Sequence, residues 1–433
     1  MSSIKSKRRS IVRFIVFSTI GATAFFVPIE ISGNSTIAID HLVTLIATHS
    51  PPAGKAYAVF LILWGVAAPF LTNSWKDSIT TAVLSTLQIL AIPLAIMYLL
   101  DAGPNAVMAP DVLPFLFEKL AVPVGLIIPI GAIFLTFLIG FGLLEAIGTI
   151  MEPIMRPVFK TPGRSAIDAV ASFAGSYSVG LLITSRVYKN GMYSAKEAAI
   201  IATGFSTVSA TFMVIVAKTL SLTEFWNVYF FGTLVVTFLV TAVTVRLPPL
   251  AKMDNTSDAD DDVAESHDSY FRAAFSAGLA VAQNAPKLIP LLKENVVDGL
   301  RMASRVVPSI LSIGFLGLMA AKYTPLFDVL GLLLAPVLWI FYPDNATEIG
   351  SILASGLAEM FLPAVQSVAL DPSMRFVVGT VSVSSVLFLS ASIPCILATG
   401  IPLTLGQMLF VWAIRTLLSI PLAYAVGWVF GVI

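Results

Sequence analysis

Long apolar stretches recur along the whole chain and are separated by short polar segments. Each stretch has about 20 residues, the length that a helix needs to cross a hydrocarbon core of roughly 30 Å. Several stretches carry Gly or Pro in the middle, which membrane helices tolerate better than soluble helices do. This pattern predicts an all-α polytopic membrane protein with about eleven hydrophobic segments. The segments centre near Phe17, Leu63, Leu90, Phe134, Ser176, Thr207, Val235, Leu311, Met360, Val386 and Leu422.

One long polar interruption, residues 246–302, divides the chain into two membrane halves. It includes the run DNTSDADDDVAESHDS, whose composition is typical of a solvated acidic linker. Asp258, Asp260 and Asp262 alternate as in a calcium loop, but the Gly and the bidentate Glu of such a loop are missing. Over residues 270–297 the pattern becomes amphipathic, with Phe271, Phe275 and Leu279 on one helical stripe. It predicts a helix that lies at the membrane interface.

The two halves are related by internal similarity at a constant offset of 183 residues. The offset aligns helix breakers and acids: Gly131 with Gly314, Glu145 with Asp328, Gly148 with Gly331, Pro153 with Pro336 and Gly180 with Pro363. It also aligns identical residues in Ser172 with Ser355, Phe205 with Phe388 and Ser209 with Ser392. Internal repeats with interrupted helices at equivalent places are typical of transporters that bind solute near the bilayer midplane. We therefore predict two repeat-related halves, each containing a broken or re-entrant helical hairpin. Inverted topology is our preference, although the distribution of positive charge does not decide it.

The predicted organisation has four parts. Residues 1–120 form N-terminal membrane helices, 121–245 the first repeat, 246–302 the polar linker with its amphipathic helix, and 303–433 the second repeat with a C-terminal helix. The basic and then apolar N-terminus resembles a signal peptide, but its apolar run continues to about 20 residues, which favours an uncleaved first span. Its basic residues place the N-terminus in the cytoplasm. They are Lys5, Lys7, Arg8, Arg9 and Arg13.

Composition excludes several classes of protein. With 57% hydrophobic and 12% charged residues, the chain has too little polar material to cover a soluble surface, so a lipid bilayer must be its main partner. A formal net charge of zero gives no basic surface for nucleic acid. Cys395 is the single cysteine and there are three histidines, so no zinc motif, nucleophile elbow or phosphate loop is present. We therefore expect no metal, no cofactor and no enzymatic activity.

The segment FAGSYSVGLLITSRVYKNGMYSAKEAAIIATGFSTVSATFMVIVA, together with ASGLAEMFLPAVQS in the second half, resembles the YjiH-like family of bacterial inner-membrane proteins. These proteins carry the nucleoside-recognition or Gate domain. The resemblance implies two Gate-like repeats, a multi-pass location in the inner membrane, and candidate hairpins in residues 165–217 and 350–398. Gate domains also occur in nucleoside transporters, ferrous-iron transporters and spore-maturation proteins, so the resemblance does not supply a substrate.

Polar side chains inside the apolar segments are candidates for solute contact, because such groups are costly at membrane depth unless they face a cavity or a partner. Hydroxyl groups near helix breaks suit a polar uncharged or zwitterionic solute. Small-residue helix packing explains the serines equally well. The candidate binding residues are Ser172, Ser176, Tyr177, Ser206, Ser209, Glu359, Gln366, Ser390 and Ser392.

Glu359 is the sharpest single candidate, because it is an acid in an apolar run and precedes the helix breaker Pro363 by four residues. Such a group can carry a proton, coordinate sodium or hold a cationic part of the substrate. The alternative is a structural ion pair, for which Arg415 in LFVWAIRTLLSIPL is the obvious partner. We expect Glu359 to lie within reach of either Arg415 or hydroxyls of the first-repeat hairpin.

The leading functional hypothesis is a secondary transporter for a small polar solute, nucleoside-like or amino-acid-like, coupled to H⁺ or Na⁺ through Glu359. The alternative is a channel or an assembly partner for other membrane proteins, with the polar hairpins serving subunit packing and homo-oligomer formation. A polar cavity that reaches Glu359 would favour transport. A dry interior with mutually paired polar groups would favour the alternative.

Overall fold

The computed structural model describes residues 2–31, 34–76, 79–174, 177–255 and 270–433. The predicted site residue Ser176 and the linker acids Asp258, Asp260 and Asp262 lie outside these ranges.

The N-terminal part is helical apart from one short hairpin of two antiparallel strands, in which Pro28 pairs with Ile37. Among the described residues this hairpin is the only sheet. The elements are α1 (Ser2–Phe26), β1 (Pro28–Ile31), β2 (Asn34–Ile37), α2 (Ala38–His49), α3 (Pro51–Leu71), α4 (Ile79–Gln88), α5 (Ala91–Leu100) and α6 (Asn105–Met108).

The middle of the chain begins with a π-helical turn, Phe115–Ala121, that runs directly into the next helix. Seven helices follow: α7 (Val122–Ile139), α8 (Leu143–Phe159), α9 (Ser165–Ala174), α10 (Tyr177–Lys189), α11 (Ala195–Gly204), α12 (Ala210–Thr219) and α13 (Trp226–Thr244).

After the linker, α14 (Tyr270–Asn284) and α15 (Leu288–Ser309) lead into the second half. The predicted domain boundary at residue 302 does not coincide with a helix end, since one helical run extends over Leu288–Tyr323. The remaining helices are α16 (Phe315–Tyr323), α17 (Leu326–Gly331), α18 (Ala335–Phe341), α19 (Ala346–Ser355), α20 (Leu362–Gln366), α21 (Pro372–Ser384), α22 (Ser392–Thr399) and α23 (Leu405–Val429).

The prediction of an all-α polytopic membrane protein is confirmed. Among the described residues, six helical runs are long and apolar enough to cross a membrane: Pro51–Leu71, Thr81–Leu100, Phe115–Ile139, Thr223–Thr244, Leu288–Tyr323 and Leu405–Val429.

The expectation of about eleven hydrophobic segments is not confirmed as a number of membrane spans, and helix breaks are the main reason. Three of the predicted centres, Thr207, Met360 and Val386, fall at the interruptions between α11 and α12, α19 and α20, and α21 and α22. Because hydropathy is averaged over a window of residues, an apolar run that contains a helix break is still counted as one membrane span.

Helix boundaries recur at the predicted offset of 183 residues. Leu143, which begins α8, corresponds to Leu326, which begins α17. Glycines at equivalent positions also make equivalent close approaches: a Cβ on Gly148 would lie 3.2 Å from the Arg164 nitrogen, and one on Gly331 would lie 2.5 Å from the Ser351 nitrogen. α8 therefore packs closely against the residue that precedes α9, and α17 packs closely against α19.

The interfacial helix α14 packs against α8 and α1. Leu279 is buried in this contact, whereas Phe271 is 75% exposed and Phe275 is 44% exposed. An exposed pair of aromatic rings beside a buried face suits a helix that rests on lipid at the edge of the bundle.

Candidate solute site at the helix breaks

The tip of the second hairpin, residues 356–361, lies against the break between α21 and α22. Two backbone hydrogen bonds join them, since the Leu389 N–H donates to the Leu357 carbonyl at 2.7 Å and the Ser390 N–H donates to the Ala358 carbonyl at 2.9 Å. These bonds satisfy backbone groups that neither interrupted helix can satisfy itself. The pairing positions the side chains at the tip.

Glu359 lies within this pairing and is 2% exposed. One carboxylate oxygen accepts a hydrogen bond from the Ser390 hydroxyl, and the other accepts the Phe361 N–H at 3.3 Å. The hydroxyl that bonds to Glu359 thus comes from the second repeat, whereas that of Tyr177 in the first-repeat hairpin makes no hydrogen bond to it. The reason is that the tip pairs with the break of its own repeat.

Tyr177 brings the first hairpin to the same place. Its ring meets the Phe388 ring edge to face, with centroids 5.6 Å apart. Its hydroxyl lies close enough to Glu359 and Cys395 to interact with them electrostatically. Among the described residues this buried hydroxyl has no hydrogen-bond partner. A buried hydroxyl without a partner is uncommon and marks a place where a ligand can supply one.

Three of the predicted residues therefore come together: Tyr177, Glu359 and Ser390. They join the first repeat to the second, and we call them the tip cluster. Its groups are hydroxyls and a carboxyl, which can donate and accept hydrogen bonds to a polar molecule.

The other predicted residues make local bonds that shape the helix breaks. The Ser209 hydroxyl caps α12 by accepting the Phe212 N–H at 3.2 Å, and the Ser392 hydroxyl accepts the Phe388 N–H at 2.8 Å. Ser206 contacts the carbonyl of Ile201 at 3.5 Å.

The remaining two lie within the hairpins. Ser172 donates to the Asp168 carbonyl at 3.0 Å and lies against Gly180, where a Cβ would come within 2.0 Å of its hydroxyl. The Gln366 amide oxygen accepts from the Ser355 hydroxyl at 2.9 Å. These bonds serve hairpin packing, which is the alternative that the sequence left open for the serines.

Arg415 does not pair with Glu359, and within the described part of the chain it forms an ion pair with no carboxylate. It is 0% exposed. Its Nε and one terminal nitrogen donate to the Ser384 carbonyl at 3.2 and 2.8 Å, and the other terminal nitrogen donates to the Thr241 hydroxyl at 2.9 Å. The alternative of a structural ion pair between Glu359 and Arg415 is therefore not supported, because a helix-end carbonyl and a hydroxyl bind the guanidinium instead.

A buried acid that we did not single out organises the first hairpin. Asp168 is 1% exposed. It accepts the Thr184 hydroxyl at 2.6 Å and the Tyr193 hydroxyl at 2.7 Å. These bonds tie α9 to α10 and to the loop that follows. The signal in the sequence was the same as for Glu359, an acid within the apolar run SAIDAVASFAG.

A second polar cluster holds the first hairpin to α15. Arg186 at the end of α10 is ion-paired with Glu294 at 2.7 Å and with Asp298. A cleft of about 510 Å³ opens beside it, with Glu145, Asn190 and Asn295 among its lining residues. Burial raises the pKa of the Glu145 carboxyl, one of whose oxygens has no hydrogen-bond partner among the described residues.

A comparison with known protein families identifies a domain in the part of the chain that contains the first hairpin. Residues 121–223 match the Gate family, described as nucleoside recognition. The match lies in a membrane protein whose apolar helices are interrupted at repeated positions. The match confirms the predicted resemblance to proteins with a Gate domain. The matched residues include Tyr177.

Two curated relatives were found. An uncharacterized protein of Alkalihalophilus pseudofirmus is 28% identical over 447 residues, which covers 97% of this chain and 94% of the relative. The sporulation integral membrane protein YlbJ of Bacillus subtilis is 34% identical over 61 residues, or 14% of this chain and 15% of the relative.

Among solved structures, CNTnw in an outward-facing state resembles the chain with a TM-score of 0.43 and 14% identity, covering 96% of this chain and 100% of that one. This likeness is too low to carry an argument.

Proposed function

We propose that the chain is a secondary transporter that moves a small polar solute across the bacterial inner membrane, with its N-terminus in the cytoplasm. The observation that carries the proposal is the tip cluster, where the hydroxyl of Tyr177, without a hydrogen-bond partner among the described residues, lies near Glu359 across the boundary between the two repeats. Interrupted helices at the centre of a repeat-built membrane protein are where transporters bind their solutes.

The tip cluster suits a neutral or zwitterionic solute that carries hydroxyl or amide groups. Tyr177 can donate or accept a hydrogen bond, and the Glu359 carboxylate accepts from two donors. The edge-to-face pair of Tyr177 and Phe388 adds an aromatic wall, which suits a planar ring in the solute. Because the matched family is described as nucleoside recognition, a nucleoside-like solute ranks above an amino-acid-like one.

Transport would require the second hairpin to leave the break of α21 and α22. Two backbone bonds and the Glu359–Ser390 bond join the tip to this break. A solute that offered a hydroxyl to Glu359 could take the place of Ser390, so that binding and hairpin movement would be coupled. Glu359 would then also be the group that carries a proton.

A second candidate is an assembly partner for other membrane proteins, without transport of its own. The sealed position of Glu359, at 2% exposure, favours it, since a polar group that is closed off and bonded needs no solute. The hydroxyl of Tyr177, which has no hydrogen-bond partner among the described residues, favours transport, because a bound solute can supply the missing bond.

A thermal-shift screen of the purified protein against nucleosides, amino acids and dipeptides separates the two candidates. A ligand that binds only the folded state raises the melting temperature by mass action. We expect a nucleoside-like compound to stabilise the wild type, and this stabilisation to be reduced in Tyr177→Phe and lost in Glu359→Gln. Glu348→Gln is the matched control, because Glu348 is an exposed acid at the start of α19.

Hits from the screen would next be tested as labelled substrates for uptake into proteoliposomes. Uptake that is abolished by Glu359→Gln but retained in the Glu348→Gln control would support transport. If none of the compounds binds, or if Tyr177→Phe and Glu359→Gln respond like the control, the tip cluster is not a solute site and assembly becomes the better proposal.

A further inference from the structure

Arg415 is a full positive charge near the middle of a membrane-spanning helix. It follows the start of α23 by ten residues, which is about 15 Å along the helix axis and close to half the thickness of a hydrocarbon core. A buried charge at this depth is expensive unless other groups compensate it. The role of Arg415 can therefore be inferred from the groups that compensate its charge.

The first compensating group is the carboxyl end of α21. Ser384 is the last residue of that helix, and its carbonyl accepts two guanidinium N–H groups, at 3.2 and 2.8 Å. The backbone N–H groups of the break that follows bond elsewhere: Ser385 to Val381, Val386 to Val383 and Leu387 to Ser385. The Ser384 carbonyl is thus one of the orphan carbonyls that every helix leaves at its end.

The second compensating group is the carboxyl end of α11, which Arg415 reaches through Thr241. The Thr241 hydroxyl accepts the third guanidinium bond at 2.9 Å. Its own hydrogen is shared between the Thr237 carbonyl at 2.7 Å and, at 3.0 Å, the carbonyl of Gly204, the last residue of α11. The approach is close, since a Cβ on Gly204 would come within 2.5 Å of the Thr241 side chain. Arg415 therefore connects the interrupted helices of the two repeats.

The charges balance without a carboxylate. The carboxyl end of a helix carries about half a negative elementary charge, so two such ends together match one guanidinium. In broken-helix transporters the carboxyl ends of half-helices and the unwound carbonyls coordinate the coupling cation. Here a side chain of the protein itself occupies a position of that kind. The position has no counterpart in the first repeat, where the offset of 183 residues places Gly232.

We propose that Arg415 is a tethered cation that takes the place of a bound Na⁺ between the carboxyl ends of α11 and α21. This inference rests on the proposed function as a transporter and deepens it. With that position filled permanently, solute movement does not need Na⁺ there, and Glu359 is left as the group that couples transport to protons.

The proposal is tested by melting purified protein in choline chloride that is replaced stepwise by NaCl at constant ionic strength. We expect the melting temperature of the wild type to be the same in both salts. Arg415→Ala should melt lower in choline, by about 5 °C or more. Na⁺, or guanidinium at millimolar concentration, should restore much of that loss by entering the space beside the carbonyls.

Two further variants separate charge from volume. Arg415→Met fills the space without supplying charge, so it should melt low in every salt. Arg415→Lys retains a charge and should be insensitive to Na⁺, and it keeps the proposal testable if the alanine variant does not fold. Arg375→Ala is the matched control, because Arg375 donates to a helix-end carbonyl, that of Leu220 at 2.8 Å, but is only part-buried. Any decrease in the melting temperature of Arg375→Ala should be the same in every salt.

Three results would overturn the proposal: a wild type that Na⁺ stabilises more than choline does, an alanine variant that no cation restores, or a lysine variant that Na⁺ stabilises. These melting experiments require no substrate. A chain that transports none of the tested solutes would defeat the proposed function while leaving the cation pattern intact, so the two failures can be told apart.

Discussion

At the scale of single residues, the chain uses its buried charges differently from one another. Asp168 is satisfied by two hydroxyls, Arg415 by one carbonyl and one hydroxyl, and Glu359 by one hydroxyl and one N–H group. The two carboxylates thus have the same number of resident partners for their four lone-pair positions. Glu359 differs in its place at the hairpin tip, where a solute could take over one of its bonds.

Glu359→Gln should leave stability nearly unchanged. The amide oxygen can still accept the Phe361 N–H, and the amide nitrogen can donate to Ser390, so the expected loss is below about 1 kcal/mol. The roughly 3–5 kcal/mol that follows from breaking a buried ion pair does not apply, because Arg415 bonds elsewhere. Chemical or thermal unfolding in detergent measures the difference. A loss of several kcal/mol would show that Arg415 depends on the charge of Glu359 after all.

Glu145→Gln should stabilise the protein, and more so as the pH rises. Burial raises the pKa of Glu145, so its ionised form weakens the folded state once the pH exceeds the ordinary value of the unfolded chain. Glutamine removes that effect. We expect a gain of up to about 1 kcal/mol at pH 8 and little gain at pH 4. Equal gains at both pH values would assign the effect to packing and not to ionisation.

At the scale of elements, the first hairpin is locked by side chains, whereas the second is held at its tip by backbone bonds. Asp168 binds Thr184 within the hairpin and Tyr193 beyond it. Arg186 adds ion pairs from α10 to α15. This difference suggests that the second hairpin is the element that moves, with the first hairpin as its fixed support.

Tyr193→Phe tests the lock. It removes the donor at 2.7 Å from the Asp168 carboxylate and leaves a buried oxygen with one bond fewer, which should cost about 1–3 kcal/mol. Tyr323→Phe is the control, because Tyr323 is 59% exposed and the loss of its hydroxyl leaves no buried group without a partner. Equal stability of the two variants, measured by thermal unfolding, would contradict a locked first hairpin.

At the scale of the whole molecule, the linker is partly built into the bundle. Residues before its acidic run contact the start of α11: Asn255 bonds to the Ser194 hydroxyl at 3.1 Å, and the Asp254 carbonyl accepts the Lys196 N–H at 3.2 Å. The other end of the linker leads into α14, which packs against α8 and α1. The two halves are thus connected through defined contacts at both ends of the linker.

Deletion of residues 258–262 should therefore leave membrane insertion and melting temperature unchanged, because an acidic, polar run cannot bury enough apolar surface to support the fold. A deletion of residues 254–262 also removes the contacts to α11 and should lower stability by about 1 kcal/mol or more. Membrane expression and thermal unfolding of both variants provide the comparison. Loss of expression in the shorter deletion would reveal a structural or metal-binding role for the acids.

Composition and spacing were sufficient to determine the class of the protein and much of its layout. Membrane helices follow from apolar length, since lipid and backbone hydrogen bonding leave few other solutions. The breaks at Thr207 and Val386 were visible as repeated breakers and hydroxyls, although hydropathy counted them as spans. Glu359 and Tyr177 were likewise recognisable as polar groups in apolar runs.

The partners of those groups were decided only by the tertiary structure. Glu359 meets Ser390, 31 residues away, and Arg415 meets Thr241, 174 residues away. The sequence pointed to an acid and an arginine of opposite charge, and it could not show that helix-end carbonyls compete for the arginine. Carbonyl groups occur at every position, so only the arrangement of the helices determines which of them lies beside a buried charge.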